Sequence, residues 1–195
     1  MDGSSGRLNV KRLRAQEARI VSLVAADAAL LHVTPPHVRF VTTSAGPCYE
    51  ALFNRIELDR ATLALPEPLL RIVVAHEVGH ATQRRTMLLD FAFTVMFLMA
   101  LLSIPCIVFA LAPDEELWRV SVPGIGFVLA FFACMKKRRA HAASRAAMFE
   151  LDADAKAASI CGAASALAAL EAMASRGWID AARIEAMRMR VHGRR

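Results

Sequence analysis

Val73-Val74-Ala75-His76-Glu77-Val78-Gly79-His80-Ala81-Thr82 is the stretch on which the reading of this chain turns. Its two histidines stand four positions apart. On an α-helix that spacing puts both imidazoles on one face, about one turn from each other. Two neutral imidazoles so placed can share one Zn2+, and Glu77 then faces the open side of the metal as a general base. The flanking residues Leu69, Leu70, Ile72, Val73, Val74 and Val78 are apolar. A helix that carries two histidines and a glutamate into a core needs something to satisfy them, because burying unpartnered polar groups is expensive.

A zinc site of this kind takes a third protein ligand. Downstream stands Glu150-Leu151-Asp152-Ala153-Asp154, where Glu150 and Asp154 are again four apart and share a helix face. Between the two motifs lie two uncharged runs. Residues 91–112 carry no charged side chain. At about 1.5 Å per residue they reach about 33 Å, enough to cross a hydrocarbon core of about 30 Å. Residues 120–135 are also uncharged, and Leu117, Trp118 and a snorkelling Arg119 lengthen them. The pair reads as a transmembrane hairpin. Arg84 and Arg85 precede it, Lys136, Lys137, Arg138 and Arg139 follow it, and the turn between holds Asp114, Glu115 and Glu116. Positive charge marks the cytoplasmic side, so both ends are placed there. Two passes return the chain to the side from which it started, which lets Glu150 meet His76 and His80.

The order of the two motifs around hydrophobic segments resembles the HtpX-like membrane zinc metalloproteases and their CAAX prenyl protease relatives. The stretch from His76 to Gln83, with Glu150, Asp152 and Ala153, is also similar to small neutral zinc metallopeptidases. The resemblance implies His76, His80 and Glu150 as zinc ligands, Glu77 as catalytic base and Asp154 as the partner that orients a ligand histidine. Asp154 read without the resemblance could instead be an acid in the first turn of a helix. The resemblance further implies a zincin-like core whose edge strand pairs with extended substrate; the candidate lies between Tyr49 and Leu58. An oxyanion donor is expected, with Tyr49, His141 and His192 as candidates. The prenyl protease reading is set aside, because two spans do not build the intramembrane chamber that enzyme uses.

The rest of the chain fits around this frame. Residues 1–8 are read as a disordered terminus. A helix follows from Asn9 to about His32, with Ile20, Val21, Leu23, Val24, Ala28, Leu30 and Leu31 near helical spacing, and packs over the core rather than lying on lipid. Pro35-Pro36 ends it, and residues 37–43 read as a strand. Pro66 and Pro68 open the motif helix, expected to run to about Arg85. Residues 140–161 form the second ligand helix with Gly162 as its stop. A core helix over residues 163–175 and a basic amphipathic helix from Trp178 to Val191, read as a solvated or lipid-facing tail, complete the chain. Hydrophobic residues make up 56%, the formal charge is +6, and Cys48, Cys106, Cys134 and Cys161 form no close pair. The cysteines read as reduced packing residues. The basic balance fits a membrane surface, and no nucleic-acid fold signature accompanies it.

The expected fold is α+β and mostly helical, a zincin-like core with an inserted two-helix transmembrane hairpin. Its parts are residues 9–87 and 137–195, the two halves of a cytoplasmic domain, with the hairpin at 88–136. The expected function is a zinc metalloendopeptidase in a bacterial-type inner membrane, cutting polypeptides at the cytoplasmic face with Zn2+ as cofactor. The alternative is an inactive zinc-binding membrane protein acting as a scaffold or regulator.

Overall fold

The computed structural model describes residues 3–42, 46–111, 117–175, 177 and 179–193. Among the described residues helices dominate, accompanied by one small sheet. The chain divides into two compact units, Met1–Arg85 with Phe149–Arg195, and Thr86–Met148. The middle unit therefore runs on to Met148 rather than ending at residue 136.

In the first unit, α1 (Gly3–Leu30) buries Ile20, Val24, Asp27 and Ala28. These positions form a single stripe, and α1 packs on α3 (Glu67–Ala81). The helix begins at Gly3, inside the stretch expected to be disordered, because once a helix is nucleated each added residue gains a backbone bond. Asp27, fully buried, receives both arms of the Arg71 guanidinium from α3. The fork geometry satisfies a charge that would otherwise be very costly in the core. The turn that closes α1 comes before the prolines, at His32, whose φ is 55°.

The sheet orders its strands β1 (His37–Val41), β3 (Arg55–Asp59), β2 (Cys48–Glu50). β1 and β3 are parallel, with Val38 opposite Ile56; β2 is antiparallel, with Tyr49 opposite Ile56. The stretch expected to hold the edge strand is thus split. Residues 55–58 lie in the centre of the sheet, and residues 48–50 form an edge. The break is made by Asn54, at φ 48°, a left-handed conformation that Asn tolerates better than most residues. Its Oδ1 accepts the Tyr49 hydroxyl at 2.9 Å. After β3, Asp59 caps the single turn α2 (Arg60–Leu63) by accepting from the Thr62 N–H at 2.8 Å.

α3 starts at the two prolines as expected but stops at Ala81, short of Arg85. The Thr82 hydroxyl bonds back to the Gly79 carbonyl at 2.8 Å, and Gln83 leaves the helix. The second ligand helix is the final part of α5 (Leu117–Cys161), one continuous element. No glycine or proline interrupts it between Gly126 and Gly162. Gly162, at φ 91°, ends it. α6 (Ala163–Ala174) and α7 (Ala181–His192) then pack together, with Ala166, Ala169, Leu170 and Met187 joining Ile72 and Ala158 in one cluster. α7 is therefore part of the core, not a solvated or lipid-facing tail. Its narrow stripe, Ile184 and Met187, is matched by the alanine-rich surface of α6.

The second unit consists of α4 (Arg84–Leu111) from Thr86 on and of α5 up to Met148. Asp90 pairs with Arg145 at 2.9 Å. Arg138 donates to the Thr94 hydroxyl and lies over the rings of Phe93 and Phe97. As numbering rises along α4 it falls along α5, so the two stretches run antiparallel. Among the described residues, one helix, Arg84–Ile107, is long and apolar enough to cross a membrane, and none of its apolar window is buried. The expected turn at residues 113–116 lies outside the described residues. All four cysteines are free; Cys48, Cys106 and Cys134 are exposed rather than packed.

Candidate metal centre

The buried residues Val73, Val74, Ala75 and Val78 bind α3 into the core and thereby bring His76 and His80 inward as well. Their Nε2 atoms face each other at 3.2 Å. Glu150, from α5, completes a triangle: its Oε2 lies 3.4 Å from His76 Nε2 and its Oε1 3.4 Å from His80 Nε2. In a tetrahedron with metal–ligand distances of about 2.0–2.1 Å, ligand atoms stand about 3.3–3.4 Å apart. The three donors, two imidazole nitrogens and a carboxylate, thus have both the chemistry and the spacing of a Zn2+ site.

Gly79 is what allows α3 and α5 to meet so closely. A Cβ at this position would stand 3.0 Å from the Ala153 carbonyl oxygen and 3.1 Å from its Cα. Backbone on the far side cannot swing away as a side chain can. Gly79→Ala is therefore expected to destabilise the fold by about 1–3 kcal/mol through overpacking. It is also expected to weaken any metal binding by the triangle, since Glu150 sits one turn before the clash. Denaturant unfolding and zinc titration of the variant check both parts.

A second layer of groups sets the histidines. Asp154 Oδ1 lies 2.9 Å from His76 Nδ1. The contact is electrostatic: it falls off the direction of the ring N–H, and by angle Nδ1 has no hydrogen-bond partner. Asp154 stands in the last turns of α5, not the first, which removes the reading as a helix N-terminal charge. Asp154 is drawn the other way by Arg183 of α7, which binds it through two N–H···O contacts of 2.7 Å each. Arg183 also reaches Glu150 Oε2 at 2.8 Å. On the other side, Gln83 Oε1 lies 3.4 Å from His80 Nδ1. The Gln83 amide nitrogen donates to the Phe149 carbonyl and to Asp152 Oδ2, both at 2.9 Å. One buried amide thus links the end of α3 to the turn of α5 that carries Glu150.

The sequence pattern gives neither Arg183 nor Gln83 a role. For Arg183 a signal existed: it stands four residues before Met187, and so on the apolar side of α7. For Gln83 the signal was only its place in the motif.

Glu77 is 5% exposed. Burial pushes its carboxyl up, against the pull of His76 and His80, and the Tyr49 backbone N–H bonds to it. Burial also works against a charged His76, but the Asp154 and Glu150 carboxylates overcome this and push the imidazole up to about 9. Glu150 is held well below the carboxylate range by its bonds to His76 and His80. Asp154 is held low too: burial opposes its charge, and His76 and Arg183 outweigh burial. Glu150 and Asp154, both held in the charged form, give the site the negative character that a metal cation needs.

Two of the oxyanion candidates are engaged elsewhere. The Tyr49 hydroxyl donates to Asn54, and burial pushes the phenol up to about 12. His192 Nδ1 meets the Arg188 carbonyl at 2.8 Å on its own helix, and His141 belongs to the second unit. Comparisons of the chain with protein-family models, with curated proteins and with solved structures found no match.

Proposed function

We propose that this protein is a membrane-anchored zinc metalloendopeptidase with a zincin-like core. The observation that carries the reading is the triangle of His76, His80 and Glu150, with the buried carboxylate of Glu77 beside it. The three ligands would hold Zn2+, which when bound acidifies water toward a pKa of ~7 and polarises a carbonyl. Glu77 takes a proton and delivers it to the departing amine; its raised affinity for protons suits it to both. Asp154 and Gln83 hold the rings of His76 and His80. Arg183 stabilises the charge of Glu150 and Asp154 and fixes α7 against the site. β2 lies at the end of the strand order, so its outer edge can pair with an extended polypeptide, and Tyr49 brings that edge to Glu77.

Membrane attachment through a hairpin of α4 and the first part of α5 is supported by the exposed apolar side chains of Phe91, Met96, Met99, Leu102, Ile125, Leu129 and Phe132. A soluble helix of this composition would be covered. The basic flanks of the two apolar runs support a catalytic unit on the cytoplasmic side.

The test is metal analysis of detergent-purified protein together with casein cleavage. One zinc per chain, and activity removed by chelator and restored by zinc, are expected. Protein that binds no zinc would end the proposal.

A further inference from the structure

We infer that the turn between β2 and β3, residues 51–54, is a membrane-contacting element, inserting Leu52 and Phe53 into the headgroup boundary of a bilayer with anionic lipid. The inference rests on the reading that α4 enters that bilayer. Leu52 and Phe53 are adjacent at the apex of the turn and are 56% and 59% exposed. Single exposed apolar residues are common, but this pair is held outward by a braced turn. Asn54 adopts φ 48°, accepts the Tyr49 hydroxyl, and donates to the Thr34 carbonyl at 3.4 Å. The Arg55 guanidinium lies over the Phe53 ring at 5.3 Å and is itself fixed by Glu50 and Glu57.

The second observation is where the turn is tied. The Ala51 carbonyl accepts from Arg84 Nε at 2.9 Å. Arg84 is the first residue of the helix long and apolar enough to cross a membrane. Exposed Arg85 follows it, then Leu89 and Phe91, 63% and 59% exposed. Arginines at the end of such a segment sit at the headgroup level. A turn bonded to that residue and carrying Leu and Phe has the composition of an interfacial contact, apolar tip with cationic flank. The bilayer fits better than a substrate side chain, because both residues are more than half exposed and the turn that carries them is bonded to the first residue of the apolar helix.

Depth-dependent quenching tests this. Trp118 and Trp178, the two tryptophans of the chain, are replaced by phenylalanine, and Phe53→Trp is added. The protein is reconstituted in vesicles of phosphatidylcholine and phosphatidylglycerol brominated on the acyl chain near the glycerol. Emission from position 53 is expected to fall about twofold or more and to lie to the blue, since interfacial groups sit about 5–10 Å deep. A Glu185→Trp control, on the exposed face of α7, is expected to keep its emission. All variants are expected to bind zinc as the parent does, the substituted positions 53 and 185 being exposed. Protein that resists carbonate extraction but shows unquenched emission at position 53 overturns the inference and leaves the membrane anchor standing. Emission that responds to added casein peptide and not to brominated lipid overturns it in favour of a substrate contact. Protein that carbonate strips from the vesicles overturns both the inference and the anchor.

Discussion

Glu77→Gln is expected to reduce peptide cleavage by about 10²–10⁴-fold, the usual contribution of a positioned general base, while the zinc content stays at the wild-type level. The two halves of this expectation come from different features. Zinc is retained because the ligand triangle comprises His76, His80 and Glu150 and does not draw on Glu77. Activity is lost because an amide of the same shape cannot accept a proton. The fold is expected to survive: the side chain is almost wholly buried, and burial already disfavours its charge. The comparison needs the cleavage rate, the metal content and a thermal unfolding curve of both proteins. Equal rates would take Glu77 out of the mechanism and move the protein to the scaffold reading. Loss of zinc would show Glu77 to be a ligand.

Zinc affinity is expected to climb with pH by about tenfold per unit up to about pH 9 and then to level off. The reason lies in His76. With its imidazole pushed up to about 9, the metal-free protein carries a proton there at neutral pH. Zinc must displace that proton, because only a neutral imidazole ligates. The same group predicts the stability of the metal-free chain. Its folded value lies above the ordinary 6.5, so its contribution is complete below pH 6.5 and disappears as pH rises through about 9. Glu150 and Asp154 act in the opposite direction. Both are depressed, so their contributions are present above the ordinary carboxylate range and are lost in acid. Metal-free protein is therefore expected to melt at progressively lower temperature from pH 6.5 to 9, and zinc-loaded protein to change little. Asp154→Asn removes a main source of the His76 shift. It should start the affinity plateau at lower pH and weaken zinc binding by about 10–100-fold. Competition with a chromophoric chelator between pH 6.5 and 9.5 measures the slope. An affinity independent of pH in that window would show that His76 is not protonated in the metal-free site.

The parts of the site that were legible in the sequence are those written at short range. His76 and His80, and again Glu150 and Asp154, each occupy one helix face, and spacing alone says so. The β1 strand could be read from its β-branched and aromatic content, and residues 55–58 as an extended segment, although not their order in the sheet. Besides Gln83, three features escaped. Gly79 reads as an ordinary helical glycine until Ala153 is seen against it. Arg183 reads as one of several basic residues until α6 turns α7 toward Asp154. Asp27 reads as a polar residue on a packed helix until Arg71 is found opposite.

By itself, then, the sequence determined the two paired sets of side chains, the long uncharged run, and the charges that flank it. Each is a local pattern, governed by the pitch of a helix or by the cost of placing charge in an apolar layer. Only the tertiary structure decided that Glu150 faces both histidines, that Gln83 ties α3 to α5, and that Arg183 comes from a helix expected to be a tail. Those choices depend on how closely two helices approach and which of their faces meet, and no period within a single segment encodes that.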